Sequence, residues 1–143
     1  MKLDLSSLLK ATAQLEEALQ YCDSDLARQD SRLHLHLRAA AIQAFEFTYE
    51  LSVKMLRRFL ETTEANPVAV GELSFNELIR LGSERGLLCA ELSDWKEFRK
   101  DRGTTSHAYD EAKAEDVFET IPGFLDEARF LLAQIEKRQE KSM

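Results

Sequence analysis

Apolar residues recur at every third or fourth position along most of this chain, the spacing that lines one face of an α-helix. Between Leu5 and Leu26 the set Leu8, Leu15, Leu19, Cys22 and Leu26 makes such a face, with Glu16, Glu17 and Gln20 outside it. The polar stretch Asp23 to Arg32 then holds the helix end and a loop. From about His34 to Glu61 two apolar stripes coexist. One is Ile42, Phe45, Tyr49, Val53, Leu56 and Leu60; the other is Ala40, Ala44, Phe47, Leu51, Met55 and Phe59. At about 100° per residue they point in nearly opposite directions. Gln43, Glu46, Glu50, Lys54, Arg57 and Glu61 form the polar strip, whose Glu50–Lys54 and Arg57–Glu61 spacings suit exposed ion pairs. A helix that is apolar around most of its circumference has to be covered on several sides. It is therefore expected at the centre of the fold, with part of its cover supplied by a second copy in a homodimer.

Asn66-Pro67 and Gly71 interrupt this pattern. Ser74-Phe75-Asn76-Glu77 is a capping-box sequence, with Leu73 and Leu78 placed as a hydrophobic staple, so a short helix is predicted from Ser74 to near Gly82 or Gly86. A fourth helix, after Ser93, carries Trp95 and Phe98 inward and runs to about Asp101. Gly103-Thr104-Thr105-Ser106 turns the chain, its hydroxyls being ready N-caps. The last helix extends from about His107 or Asp110 into the 130s through Val117, Phe118, Ile121, Leu125, Ala128, Leu132 and Ile135, with Pro122 kinking it or splitting off its first turns. Five helices, no strand and no repeat predict an all-α, up-and-down four-helix-type bundle with an additional short helix, residues 1–143 forming one domain.

The 143 residues are 44% hydrophobic and 31% charged, enough for one core. Nineteen Lys and Arg against 26 Asp and Glu give a net charge of −7, which argues against a broad phosphate-binding surface while leaving room for a small cationic site. No apolar run approaches the roughly 18 residues of a membrane helix, and Met1-Lys2-Leu3-Asp4 places an acid where a secretory signal is apolar. Cys22 and Cys89 lack partners at metal spacing and read as reduced thiols, so the expected location is cytoplasmic, without membrane contact. His34 and His36, two residues apart, face different sides of a helix and make a poor metal pair. No glycine-rich phosphate loop, zinc motif or nucleophile elbow is present, so no metal and no cofactor are expected.

Lys96 to Asp110 stands out. Four cations lie between Lys96 and Arg102 in an acidic chain; a turn follows, then His107 at a helix start, where backbone N–H groups favour anions. Arg102 is a permanent bidentate phosphate donor, and histidine exchanges a proton near neutral pH. Together they suit binding of a phosphodiester and proton transfer at a ribose 2′-hydroxyl, the group that distinguishes RNA from DNA. The spacing alone is a weak signal, since Arg28 and His34 fit it too, and an ion pair of Arg102 with Asp101 or Asp110 is the plain alternative.

The run Arg102-Gly-Thr-Thr-Ser-His107-Ala-Tyr109-Asp110 resembles the Arg-x4-His-x-Tyr motif of the HEPN superfamily, in the branch of nucleotidyltransferase substrate-binding proteins grouped with HepT-type toxins. Trp95-x-x-Phe98-Arg99 just upstream and Phe45-Glu46-Phe47-Thr48-Tyr49-Glu50 in the long second helix support the likeness. The resemblance implies a dimeric helical bundle that joins the Arg and His of both copies in one cleft. It implies a metal-independent endoribonuclease, the toxin of a type VII-like toxin–antitoxin module, beside a minimal nucleotidyltransferase as antitoxin. In that reading His107 is the acid/base, Arg102 the phosphate and transition-state clamp, and Tyr109 the hydroxyl adenylylated by the partner. Arg99, Lys100, Thr105 and Ser106 are the expected RNA contacts. One departure is Gly103, which stands where family members commonly carry a polar residue, often Asn. Two other readings compete: a non-catalytic subunit that presents substrate to, or scaffolds, a nucleotidyltransferase, and a purely structural helical adaptor.

Overall fold

The computed structural model describes residues 2–105 and 110–141. Among these are seven α-helices: α1 (Ser6–Cys22), α2 (Asp25–Gln29), α3 (Ser31–Thr63), α4 (Pro67–Gly71), α5 (Phe75–Glu84), α6 (Leu92–Gly103) and α7 (Glu111–Lys141). The all-α bundle is as the periodicity predicts, with α1, α3, α6 and α7 as its long members and α5 as the added short helix. Two five-residue helices are additions to that expectation. The Ser24 hydroxyl accepts the Ala27 N–H at 3.3 Å and starts α2 inside the stretch expected to be a loop. Ala27 is buried there and Leu26 is 70% exposed, so Leu26 does not extend the α1 stripe. Asn66 accepts the Ala69 N–H at 3.2 Å and Pro67 occupies the first turn of α4, where a missing N–H costs nothing.

Capping chemistry sets the other boundaries. Asp30 accepts the N–H groups of Arg32 and Leu33 and starts α3. Ser74 and Glu77 form the predicted reciprocal box. α5 ends at Glu84, and Gly86 follows with φ of 73°, a left-handed position that favours glycine. Asp110 accepts the N–H groups of Ala112 and Lys113 at the head of α7. α7 then runs unbroken through the exposed Pro122, so the expected split does not occur.

α3 packs against all six other helices. This is the physical reason for its two stripes. Ile42, Phe45, Tyr49, Leu56 and Leu60 from one, and Met55 and Phe59 from the other, are buried. The upper part of the second stripe differs: Ala40 is exposed and Phe47 is 54% exposed. The polar strip also departs from expectation. Glu50 pairs with Arg102 across helices, not with Lys54. Arg57 donates to the carbonyls of Val70 at 2.8 Å and Leu73 at 3.2 Å, closing the end of α4 in place of pairing with Glu61.

Candidate functional site

The C-terminal half of α6 is anchored from below by aromatic rings. Phe98 meets Trp95 and Phe124 edge to face, each at 5.3 Å, and Phe124 meets Phe45 at 5.1 Å. Such pairs add to the burial of the rings themselves and fix α6 on α3 and α7. Tyr49 belongs to the same cluster. Burial pushes its phenol up to about 12, against the opposing pull of Arg99 and Arg102.

One helical turn beyond Phe98, the Arg102 side chain emerges with 30% of its surface exposed. It is met by two carboxylates one turn apart on α3. Arg102 Nε donates to Glu50 Oε1 at 3.1 Å, and a terminal amine closes on the same oxygen. That amine also lies 3.4 Å from Glu46 Oε1. The hydrogen bond to Glu50 raises the guanidinium pKa above its ordinary value; burial opposes it, and the Glu46 and Glu50 charges add to it. The other Glu46 oxygen lies 2.8 Å from the buried Thr105 hydroxyl, which also faces the Arg102 carbonyl at 2.9 Å. The pairing of Arg102 is therefore with α3, not with Asp101 or Asp110. Asp101 is itself buried, and one of its carboxylate oxygens has no hydrogen-bond partner among the described residues.

The remaining expected RNA contacts are distributed differently. Arg99 stacks on the Phe75 ring at 4.6 Å, and Lys100 is exposed. Thr105 is turned inward to Glu46. Ser106, His107 and Tyr109 lie outside the described residues. The competing Arg28–His34 spacing forms no such cluster: Arg28 pairs with Asp23 and Asp25, and His34 lies edge-on to Phe118 at 6.1 Å. Glu46 and Glu50 are site residues that sequence reasoning missed. Their signal is an acidic pair at i,i+4 on a helix otherwise short of polar surface.

Fold and site define a small all-α bundle protein with an arginine-centred polar cluster at the end of α6. Residues 3–137 match the family described as nucleotidyltransferase substrate binding protein like, and the chain belongs to that family. It is 38% identical over 141 residues to a Haemophilus influenzae protein named probable ribonuclease HepT, covering 97% of this chain and 96% of that protein. A solved Haemophilus influenzae structure is similar at a TM-score of 0.86 and 36% identity, over 93% of this chain and 99% of that one. It is described as revealing the fold of a substrate binding domain of a nucleotidyltransferase. A crystal structure from Thermus thermophilus is similar at a TM-score of 0.68 and 28% identity, over 90% and 98% of the two chains. No helix among the described residues is long and apolar enough to cross a membrane.

Proposed function

We propose that this chain is a metal-independent endoribonuclease, the toxin of a type VII-like toxin–antitoxin module whose antitoxin is a minimal nucleotidyltransferase. The observation that carries this reading is Arg102, placed in the last turn of α6, partly exposed and a few residues before His107 in the motif order. The relative named probable ribonuclease HepT supports it. In the proposed step His107 takes the proton of a ribose 2′-hydroxyl, and the 2′-oxygen bonds to phosphorus. The bond from phosphorus to the 5′-oxygen breaks, and that oxygen leaves with a proton given by a protonated His107 of the shared cleft. Arg102 holds the phosphate and stabilises the charge that builds on its oxygens. Arg99, Lys100 and Ser106 contact the RNA backbone, while Thr105 acts through Glu46.

Two copies of the chain form the working unit, and each contributes its Arg102 and His107 to one cleft. The partner enzyme transfers AMP to Tyr109: the phenol oxygen bonds to the α-phosphorus of ATP and pyrophosphate leaves. An anionic adduct two residues from His107 blocks the cleft and repels RNA.

The second reading is a non-catalytic subunit that presents substrate to the nucleotidyltransferase. It draws on the pairing of Arg102 with two carboxylates, which is also how a structural ion pair looks, and on the net charge of −7. Incubating the purified chain with tRNA and mRNA in EDTA separates the two. Cutting by wild type that His107→Ala abolishes is expected; equal cutting by both, or none by either, overturns the nuclease reading.

A further inference from the structure

An arginine grips a phosphate through the edge formed by Nε and one terminal amine, because two parallel N–H groups there match two phosphate oxygens. In Arg102 that edge is already filled by Glu50. The two carboxylates that meet Arg102 are held differently. Glu46 is 38% exposed at its side chain and tied by its second oxygen to the buried Thr105 hydroxyl. The Glu50 side chain is 56% exposed, and no other described residue shares a hydrogen bond or ion pair with it. One guanidinium against two carboxylates leaves the cluster at 1 − 2 = −1, a charge that repels a phosphodiester approaching the same edge.

We propose that Glu50 is a built-in stand-in for the substrate phosphate, closing the Arg102 edge at rest and displaced from it by RNA, while Glu46 is a positioning residue that keeps the guanidinium aimed. The proposal rests on the reading of Arg102 as the phosphate clamp. Swinging Glu50 into solvent needs only side-chain rotation on the surface of α3. Arg102 does not follow it, because Glu46 still holds the guanidinium and is itself held by Thr105. The pair thus gives the site an affinity threshold: a single weakly held anion does not open the edge, whereas a backbone gripped at several phosphates does. Glu50→Gln keeps the shape and removes the charge. A carboxylate about 6 Å from a phosphate, at an effective dielectric between water and a protein surface, weakens binding by roughly threefold to thirtyfold, so this is the expected gain.

The test is fluorescence anisotropy of the full chain with a labelled single-stranded RNA whose 2′-hydroxyls are methylated, at roughly 100 mM salt, where the Debye length is about 10 Å and a direct contact is only partly screened. Glu50→Gln is expected to bind about threefold to thirtyfold tighter than wild type, Arg102→Ala weaker, and the double variant like Arg102→Ala. On unmodified RNA, Glu50→Gln is expected to lower KM with kcat little changed, and Glu46→Gln to lower kcat, with thermal unfolding of both unchanged. Glu50→Gln binding no tighter than wild type, or gaining the same factor without Arg102, overturns the stand-in while leaving the clamp intact. Arg102→Ala binding RNA as tightly as wild type, or no RNA binding by any variant, overturns the clamp reading and this proposal with it.

Discussion

Glu127 of α7 accepts the indole N–H of Trp95 of α6 at 2.7 Å inside the bundle, and the same carboxylate takes the backbone N–H groups of Cys89 and Ala90 at 3.0 and 2.9 Å. Glu127 is 4% exposed and Trp95 fully buried, so one side chain satisfies a buried indole donor together with two N–H groups of the partly buried loop before α6. It ties the loop before α6 to the helix on which α6 rests, and through Trp95 it braces the aromatic cluster beneath Arg102. Truncation strands the buried indole donor and unties the two loop N–H groups. Glu127→Ala is expected to destabilise the fold by about 3–5 kcal/mol, and Glu127→Gln, which keeps an acceptor oxygen, by about half that. Urea unfolding measures both; a Glu127→Ala loss under about 1 kcal/mol would contradict this role.

Two glycines in helices are expected to respond in opposite directions. A Cβ added to Gly82 meets Leu88 Cδ1 at 3.0 Å and Leu56 Cδ1 at 3.1 Å, so this glycine is there to let α5 approach α3 closely. Gly82→Ala is expected to cost about 1–3 kcal/mol through overpacking. At Gly103, the last residue of α6, a Cβ meets nothing among the described residues within 4 Å, and the backbone is not left-handed. Gly103→Ala is expected to stabilise the chain by about 0.5–1 kcal/mol, because glycine loses more freedom on folding. Midpoint shifts of the same sign for Gly82→Ala and Gly103→Ala would refute the distinction.

What the amino-acid pattern could report depended on what makes a pattern. Phe45, Leu56 and Leu60 were legible as core because a long helix repeats its buried face, and α3 as central because two such faces share it. The α5 boundary was legible because Ser74 and Glu77 carry their chemistry locally. Helices α2 and α4 were not, since five residues hold too little period and depend on the caps Ser24 and Asn66. At the site, Arg102 was legible as a cation out of keeping with an acidic chain. Its partners were not: Glu46 and Glu50 lie more than 50 residues away in sequence, and a polar strip reports exposure without saying which helix answers it. Glu127 was equally hidden, because the run around it reads as one face of a helix and the three donors it satisfies come from elsewhere.

Asp101, one residue before Arg102, supplies a pH test. Burial raises its carboxyl above the ordinary carboxylate range; the Thr120 hydroxyl opposes this, Glu97 and Asp116 add to it, and Lys100 opposes it. A folded-state pKa above the unfolded one means that this group's contribution is complete below the ordinary value, near pH 4, and is lost as pH rises through the folded value. At pH 7 the buried, incompletely bonded carboxyl of Asp101 therefore costs stability relative to low pH. Asp101→Asn is expected to be more stable than wild type at pH 7, with the difference narrowing as the pH is lowered toward 4. A difference that stays constant, or widens, across that range would show that ionisation of Asp101 is not its source.

The exposed sector of α3 bears on assembly. Phe47 presents 54% of its surface to solvent at the edge of a groove of about 330 Å³, lined also by Ala11, Gln14, Ala40, Gln43, Ala44 and Thr48. Leu9, on α1, is 55% exposed as well. Met55 and Phe59, farther along the same stripe, are buried, so this is the part of the second apolar stripe left without a cover in one chain. If a second copy supplies that cover, Phe47 is an anchor of the kind that loses most when replaced by a charge, because a carboxylate there must be desolvated without a partner. In one chain Phe47 is more than half exposed, and the same substitution is expected to change stability by under about 0.5 kcal/mol. Light scattering at micromolar concentration is therefore expected to give twice the chain mass for wild type and the single-chain mass for Phe47→Glu, with matching urea midpoints under monomeric conditions. A wild-type monomer removes the homodimer, and a Phe47→Glu dimer moves its interface to another face of the bundle.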